Sequence, residues 1–428
     1  MSAIRAGYKQ TEVGAVPDNW EVAPLEDFTS FISYGFTNPM PTADSGIFMI
    51  TAKDINQGKI QFNTARCTTE EAYRSLLTAK SRPKTDDLLL TKDGTLGRLA
   101  LVDDRTVCIN QSVAILRPNS KAVPSFLKVL LEAPAYQQRM IEDAGGSTIK
   151  HIYITIVNRM PVALPPTKAE QEAIAEALSD ADALIESLEQ LLAKKRHLKQ
   201  GAMQELLTGK KRLPGFQLKA GLKHTEAGAI PDDWNVVSMG QVSDCLIGLT
   251  YSPLDVRDFG TLVLRSSNVQ NGKLAFEDNV FVEMEIPERA ITQKDDILIC
   301  VRNGSRQLIG KCALIDEATA GSAFGAFMSV LRSESAMFLF FQFQSGFQKR
   351  QIDELMGATI NQITNKDLAE FKVIWPSDVT ERTAIATILS DMDAEIADLE
   401  AQLAKTRALK QGMMQKLLTG DIRLVGAL

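Results

Sequence analysis

Residues 178–213 read LSDADALIESLEQLLAKKRHLKQGAMQELLTGKKRL, and residues 389–424 read LSDMDAEIADLEAQLAKTRALKQGMMQKLLTGDIRL. The two segments are identical at 24 of 36 positions. A shorter near-copy, YKQTEVGAVPDNW at 8–20 and LKHTEAGAIPDDW at 222–234, opens each half of the chain. The blocks between these near-copies match only faintly. An internal repeat determines the architecture before any motif does, and this one predicts a duplicated scaffold that presents two diverged globular parts.

The longer near-copies predict amphipathic helices. Apolar residues recur at alternating steps of four and three, as in a coiled coil. The two series are Ile174, Leu178, Ala181, Ile185, Leu188 and Leu192, and Ile385, Leu389, Met392, Ile396, Leu399 and Leu403. Each helix should measure about 40 residues, or roughly 60 Å at 1.5 Å per residue.

Both helices carry start and stop signals. Thr167 with Glu170, and Asp378 with Glu381, have the spacing of a capping box, in which the glutamate reaches back to the first backbone amide. Leu-Leu-Thr-Gly ends each copy, at Gly209 and at Gly420, and a glycine there supplies the left-handed C-terminal stop.

The charge pattern predicts how the two helices pair. Each helix is acidic in its N-terminal half and basic in its C-terminal half. A parallel pair would place like charges side by side, whereas an antiparallel pair matches each acidic half with a basic one. The same pattern also complements each helix's own dipole, which needs no partner. Because the apolar seam still requires a partner, we expect an intramolecular antiparallel pair.

The two diverged blocks predict mixed α/β folds. Residues 46–62 and 261–276 alternate like hairpins, with turns at Asn56-Gln57-Gly58 and Asn271-Gly272. Residues 86–102 and 295–315 each predict two strands around a glycine-containing polar loop, and helical stretches follow near 124–143 and 335–356. The predicted fold class is α/β (α+β): two such domains separated by a long antiparallel two-helix coiled coil. The expected boundaries are 1–164 and 214–376 for the domains, and 165–213 and 377–428 for the helices.

Composition limits the class of protein. The chain has 428 residues, five scattered cysteines and three histidines, which argues against a disulfide framework or a zinc site. It contains no apolar run of membrane-spanning length and no signal peptide, so we expect it in the cytoplasm and not in a membrane. The net charge of −6 weighs against nucleic-acid binding. Any contact with DNA must therefore come from local clusters, or be assisted by a partner protein.

Motifs for catalysis are lacking. A P-loop needs GxxxxGK[ST], and the spacing from Gly304 to Gly310-Lys311 does not fit it. No glycine-rich cofactor loop opens a βαβ unit, and Pro165-Pro166 lacks the neighbours of an adenine-methyltransferase motif. We therefore expect no catalytic residue, no metal and no cofactor bound by this chain.

Polar loops are better candidates for a binding site. TKDGTLGR at 91–98 and VRNGSRQ at 301–307 occupy equivalent positions and differ in sequence. Arginine reads guanine edges and asparagine reads adenine, so such loops suit readout in the major groove. A second pair of loops, GGSTIKH at 145–151 and GATINQIT at 357–364, precedes the last strand of each block. The candidate DNA-binding residues are Lys92, Asp93, Thr95, Arg98, Lys150 and His151 in the first block, and Arg302, Asn303, Ser305, Arg306, Asn361 and Gln362 in the second. The alternative is that these are ordinary solvated loop tips.

Trp20 and Trp234 recur at the end of the shorter near-copies. An amphipathic ring at a constant distance after Pro-Asp suits packing, so we expect both tryptophans to anchor their segment to the scaffold rather than to stack on bases.

The chain resembles the specificity (S) subunit of type I restriction–modification systems over its whole length. The resemblance rests on T-E-x-G-x-x-P-x-x-W at 11–20 and 225–234, the GKI/GKL turns at 58–60 and 272–274, and the D-D-[LI]-L strand openings. It rests also on LPPTKAEQEAIAEALSDADALI at 164–185 and LKQGxMQxLLTG at 198–209 and 409–420. The second copy departs slightly, with Glu381-Arg382 in place of Glu170-Gln171.

The resemblance implies a non-catalytic subunit in which each diverged block recognises one half of a split, asymmetric double-stranded DNA site. The paired helices would set the gap between the half-sites. Two modification (M) subunits carrying S-adenosylmethionine would bind this scaffold and methylate adenines, and two restriction (R) subunits using ATP and Mg²⁺ could join. The alternatives are a methylation-only system, a protein-interaction scaffold without a DNA role and, least favoured for want of a cofactor motif, a stand-alone methyltransferase.

Overall fold

The computed structural model describes residues 5–142, 144–145, 150–216, 221–356 and 362–424. The chain divides into two compact units. Unit 1 comprises Met1–Glu189 and Gln402–Leu428, and unit 2 comprises Gln190–Ala401. Each unit therefore combines one globular block with segments of both long helices. None of the helices formed by the described residues has the length and apolar character needed to cross a bilayer.

Unit 1 contains thirteen short strands and four short helices among its described residues, besides its share of the long helices. The strands are β1 Tyr8–Thr11, β2 Gly14–Pro17, β3 Glu21–Pro24, β4 Thr29–Tyr34, β5 Ile47–Ile50, β6 Ile55–Asn56, β7 Lys59–Ile60, β8 Arg66–Thr68, β9 Leu88–Thr91, β10 Leu99–Leu101, β11 Val107–Ile109, β12 Val113–Pro118 and β13 Pro161–Leu164. The helices are α1 Glu70–Leu76, α2 Pro124–Leu131, α3 Pro134–Glu142 and α4 Ile154–Arg159. The long helix α5, Lys168–Leu206, begins in this unit.

Unit 2 repeats the plan with variations. Its strands are β14 Leu222–Thr225, β15 Gly228–Pro231, β16 Trp234–Ser238, β17 Asp244–Ile247, β18 Val256–Arg257, β19 Thr261–Leu264, β20 Val269–Gln270, β21 Lys273–Leu274, β22 Phe281–Val282, β23 Ile297–Cys300, β24 Cys312–Leu314, β25 Ala323–Phe324, β26 Met328–Arg332 and β27 Lys372–Pro376. The helices are α6 Met239–Val242, α7 Ala336–Phe343, α8 Gly346–Leu355 and α9 Asn365–Glu370. The second long helix, α10, is Val379–Leu417.

One buried strand forms the centre of each unit. In unit 1 it is β9, within a four-stranded sheet of order β10-β9-β12-β4, and in unit 2 it is β23, within the order β17-β26-β23-β24. Successive side chains point to opposite faces of a strand. Leu88 and Leu90 accordingly join one apolar cluster while Leu89 joins another. Both faces of these sheets are therefore packed, which places the free polar groups at the strand ends and in the loops.

The predicted hairpins are only partly correct. Gln57 and Asn271 have φ of 49° and 52° and are followed by left-handed glycines, so both predicted turns exist. However, each turn joins strands of only two residues, β6 with β7 and β20 with β21. Strand β5 pairs instead with β8 and with the distant β11. Sequence alternation identifies a half-buried strand, but it does not reveal a partner 60 residues away.

The two long helices pair antiparallel in each unit, as predicted. In unit 2, Arg196 and Lys199 of α5 contact Glu400 and Asp393 of α10, at 2.7 and 2.6 Å. In unit 1, the counterpart pairs are Arg407 with Glu189 and Lys410 with Asp182, both at 2.5 Å. In both sets the residue number rises along one helix while it falls along the other. Acidic halves thus face basic halves, and Ile174, Leu178, Ile385 and Leu389 of the predicted seam are buried.

The helix ends combine predicted and unexpected contacts. Gly209 and Gly420 adopt φ of 71° and 69°, which confirms the left-handed stops. At the helix starts, Thr167 Oγ1 accepts from the amide of Glu170, as the capping box requires. The glutamates themselves form buried ion pairs with distant arginines, which the capping-box interpretation did not foresee. Trp20 and Trp234 are buried, so the predicted anchoring role is confirmed.

Candidate nucleic-acid interface

The β9–β10 loop of unit 1 is a tight turn with a defined geometry. Gly94 and Gly97 have φ of 79°, a conformation that favours glycine. Thr91 closes the turn, because its Oγ1 accepts from the amide of Arg98 at 2.8 Å and its carbonyl from the amide of Gly97 at 2.9 Å. The backbone amide of Lys92, the first residue of the turn, donates to the carbonyl of Ser112 at 2.9 Å. Ser112 lies in the connection between β11 and β12. The candidate side chains therefore stand on a rigid base.

The second candidate loop of unit 1 meets this turn. Asp93 and His151 form an isolated antiparallel bridge, and the amide of Ile152 donates to the carbonyl of Lys92 at 2.9 Å. The Asp93 carboxylate joins the cluster, with 2.6 Å to His151 Nδ1 and 2.8 Å to Lys92 Nζ. Lys92 Nζ also lies 5.7 Å from the ring centroid of Tyr34. We name this surface head 1, defined by Tyr34, Lys92, Asp93, Thr95, Lys150 and His151.

Unit 2 brings its two candidate loops together in the same way. Arg302 and Gln362 form the equivalent bridge, and the amide of Ile363 donates to the carbonyl of Val301 at 2.8 Å. The amides of Val301 and Arg302 both donate to the carbonyl of Phe327, at 3.0 and 3.1 Å. The Arg302 guanidinium lies 5.0 Å from the Phe327 ring centroid. We name this surface head 2, defined by Arg302, Asn303, Ser305, Phe327 and Gln362.

The twelve candidate residues do not all have free side chains. Thr95, Lys150, Arg302 and Ser305 are exposed. Arg98 is half-buried and donates to the carbonyl of Ile55 at 3.0 Å, so it supports the turn rather than the surface.

Two further candidates in unit 2 are held by neighbours, and a third cannot be placed. The Asn303 side chain donates its Nδ2 to Ser266 Oγ at 3.0 Å, and its Oδ1 accepts from the backbone amide of Ser305 at 2.9 Å. Arg306 donates to the carbonyl of Asp353 at 3.1 Å. Asn361 lies outside the described residues.

Sequence reasoning missed three residues that complete the heads. Tyr34 and Phe327 place half-exposed aromatic rings beside the cations, and Ser112 holds the turn of head 1 through its carbonyl. None of these three residues lies in the predicted polar loops, because each lies at the end of another strand. The sequence signal was weak: a large aromatic residue at the end of a predicted strand is ordinary.

The two heads offer different chemistry. Head 1 holds an acceptor, the Asp93 carboxylate, between a lysine and a histidine, with 20% of the Asp93 side chain exposed. Carboxylates accept from the exocyclic amine of cytosine. Head 2 presents a guanidinium, whose paired donors match the O6 and N7 acceptors of guanine. Two surfaces with the same backbone framework and different polar groups are suited to reading two different sequences.

Comparisons with known proteins identify the family of the chain. The family model described as type I restriction modification DNA specificity domain matches the chain twice, over residues 17–194 and 231–406. The MjaVIII specificity subunit of Methanocaldococcus jannaschii is 25% identical, over 97% of this chain and 96% of that protein. The EcoKI specificity subunit of Escherichia coli strain K12 is 28% identical, over 46% of this chain and 44% of that protein.

Solved structures show the same fold. The S subunit of a type I restriction–modification system from M. genitalium superposes with a TM-score of 0.61 at 18% identity, covering 93% of this chain and 96% of that one. Together with the two family matches, which cover most of the sequence, this shows that the chain belongs to the type I restriction–modification DNA specificity domain family.

Proposed function

We propose that this chain is the DNA-recognition subunit of a type I restriction–modification complex, with head 1 and head 2 each reading one half of a bipartite DNA site. The observation that carries the proposal is the meeting of two separate polar loops in each unit, through the Asp93–His151 and Arg302–Gln362 bridges. A surface built on strand ends with locked backbones is suited to base-specific hydrogen bonding, because the donors are positioned before DNA binds.

The chemical difference between the heads supports an asymmetric site. A carboxylate flanked by Lys92 and His151 accepts from the amine of cytosine, whereas the exposed Arg302 guanidinium donates to guanine, so equivalent parts of the two heads contact different bases. The two halves of the recognised sequence should therefore differ, and the whole site should not be palindromic.

The long helices support two further roles, as spacer and as docking surface for modification subunits. Continuous helices of 39 residues can hold two heads apart, and half-sites one DNA turn apart are separated by about 34 Å. Leu198 of α5 and its repeat counterpart Leu409 of α10 remain 49% and 61% exposed on helices that are otherwise paired. Because these leucines occupy equivalent positions of the repeat, the two helices would offer equivalent docking surfaces to two copies of one partner.

In this proposal the chain contributes specificity and its partners contribute the chemistry. The modification subunits would bind S-adenosylmethionine and methylate adenines, and restriction subunits would use ATP and Mg²⁺. The modification subunits would also supply part of the phosphate contact, which agrees with the net charge of −6 of this chain.

Binding of synthetic duplexes by the assembled complex of this chain with its modification subunits tests the proposal. Wild-type complex should prefer one bipartite site, with affinity that falls as salt rises. Arg302→Ala should lower the preference for the cognate second half-site by roughly 5- to 150-fold, the range expected for a lost bidentate contact. Arg289→Ala removes an exposed arginine that precedes the opposite end of β23, and should leave the preference unchanged. A complex without sequence preference would contradict the proposal and favour a protein-interaction scaffold.

A further inference from the structure

Phe327 is the large apolar residue of head 2, and it is 54% exposed. It lies in the short connection between β25 and β26. Its carbonyl accepts from two consecutive amides of the candidate DNA-reading loop, those of Val301 and Arg302. The backbone that carries the ring is therefore joined directly to the loop that carries the guanidinium, and the two side chains present one surface.

The repeat shows that this phenylalanine is not needed by the fold. The counterpart of Phe327 in unit 1 is Ser112, whose carbonyl accepts from the amides of Lys92 and Asp93 at 2.9 and 3.4 Å in the same manner. The Ser112 hydroxyl is turned inward, where it donates to Asn110 at 2.6 Å and accepts from the amide of Ala52 at 2.9 Å. A serine thus suffices for the framework, and the exposed ring in head 2 requires another explanation.

The position of the Arg302 guanidinium explains why a ring is exposed here. Within the described part of the chain, this guanidinium has no hydrogen-bonding or ion-pair partner, and its contact is the face of Phe327, 5.0 Å from the ring centroid. A cation over an aromatic ring is held in a limited range of orientations without losing its donors. An arginine that keeps its donors free is suited to the major-groove edge of guanine. The exposed ring beside it would then contact an apolar group of a neighbouring base pair in the same groove.

The major groove offers one such apolar group. The 5-methyl group of thymine is the apolar feature that base pairs display there, and aromatic side chains contact it. Building on the proposed function, we propose that head 2 reads a guanine next to a thymine: Arg302 donates to the guanine O6 and N7, and the Phe327 ring packs on the 5-methyl group of the neighbouring thymine. An intercalating wedge is less suited to this ring, because it lies against the base-reading arginine rather than projecting alone.

Replacing thymine by uracil tests the proposal, because it removes the methyl group and keeps every hydrogen bond. The assembled complex with modification subunits is titrated against duplexes that carry its methylome-determined site, with uracil at each thymine of the second half-site in turn. One position should weaken wild-type binding about fourfold, the expected cost of one unburied methyl group. The Phe327→Ser variant carries the residue of the other repeat, and its complex should bind the thymine and uracil duplexes with equal affinity at that position.

Two controls separate this proposal from its competitors. Phe276→Ser removes a phenylalanine of similar exposure, 45%, and should keep the full discrimination between thymine and uracil. Substituting 7-deazaguanine at the adjacent guanine should weaken wild-type binding but not Arg302→Ala. If uracil has the same effect on wild type and Phe327→Ser at every position, the proposal is wrong. If Phe327→Ser instead weakens all sequences equally and reduces DNA bending, Phe327 is a wedge. If the wild-type complex has no preference for any bipartite site, the proposed function itself is wrong.

Discussion

Glu170 and Glu381 are almost completely buried, at 0% and 1% exposure, near the starts of the two long helices. Each forms a paired contact with an arginine from the segment that follows the other long helix: Glu170 with Arg423, and Glu381 with Arg212. Glu381 also accepts from the indole of Trp234 at 3.0 Å. The bidentate contact holds the pKa of the Arg423 guanidinium above its usual range. Both buried carboxylates are thus supplied with hydrogen-bond donors, as a buried ion pair requires.

Removing one partner of such a pair should be costly. Arg423→Ala leaves Glu170 buried without its guanidinium, and breaking a buried pair in this way costs about 3 to 5 kcal/mol. Urea denaturation followed by circular dichroism measures the loss. Arg5→Ala is the matched control, since Arg5 pairs with Asp421 at an exposed site and should cost less than about 1 kcal/mol. Equal effects of the two substitutions would show that the Glu170–Arg423 pair contributes nothing special.

The sequence suggested a different role for these glutamates. The spacing of Thr167 and Glu170 is typical of a capping box, which is a local motif. The actual partners of Glu170 and Glu381 are separated from them by 253 and 169 residues. No local motif identifies Arg423 or Arg212 as the partner of these glutamates, so the burial of both glutamates was not predictable.

At the scale of the elements, the antiparallel helix pair rests on a repeated set of ion pairs. The least exposed cations are Lys199, which contacts Asp393, and its counterpart Lys410, which contacts Asp182. Lys199 Nζ also lies 5.3 Å from the ring centroid of Phe341, so its ammonium group contacts the globular part of unit 2. Lys199 of α5 thus contacts α10 through Asp393 and α7 through Phe341.

Charge reversal tests the pairing direction. Lys199→Glu should destabilise the protein by about 1 kcal/mol, because it places two carboxylates in contact at a partly buried site. Adding Asp393→Lys should restore at least half of that loss, as judged from the urea midpoint. Additive losses in the double variant would contradict the pairing shown by the structure.

Element prediction succeeded where a local rule decides the conformation. The seam, the left-handed glycines and the turns at Gln57-Gly58 and Asn271-Gly272 all follow from local preferences. It failed for strand partners, since β5 pairs with β11 across the block. Helices α1, α4 and α9 were also missed, because each has only six or seven residues and too few turns to show a period.

At the scale of the whole molecule, each unit is assembled from segments far apart in the chain. Leu417 and Leu418, near the C-terminal end of α10, belong to the same apolar cluster as Trp20 near the N-terminus. Gly420 approaches Pro17 and Trp20 so closely that an added Cβ would lie 2.4 Å from Pro17 Cγ. The C-terminal segment is therefore part of the core of unit 1.

Removal of the C-terminal segment should therefore destabilise unit 1, most of which lies at the other end of the sequence. A chain ending at Ala401 lacks Leu417, Leu418 and Arg423, all of which contact unit 1. We expect faster amide hydrogen exchange in β3 and β13 of unit 1, while β23 and β26 of unit 2 keep their protection. Unit 2 is the internal control. Uniform loss of protection in both units, or none in unit 1, would contradict this division of the chain.

The candidate site was predictable in outline. Glycine-containing polar loops at equivalent positions of a repeat identified Lys92, Asp93, Arg302 and the second loop around His151. Their convergence depends on strand pairing, which the sequence did not reveal. Burial and hydrogen-bond partners become known only from the fold. Phe327, which the sequence did not single out, is exposed, whereas the predicted DNA-binding residue Arg98 donates to the carbonyl of Ile55.

Single-molecule methylome sequencing tests the central claim, that each unit reads one half of a split site. The host would express this chain with its modification subunit, either as wild type or with Arg302→Ala. For the wild type we predict a bipartite motif with N6-methyladenine in both halves, lost when the chain is deleted. For Arg302→Ala we predict relaxed or altered sequence in one half only, with the other half and the gap unchanged. The absence of any split motif despite an active modification subunit, or equal changes in both halves, would contradict the account.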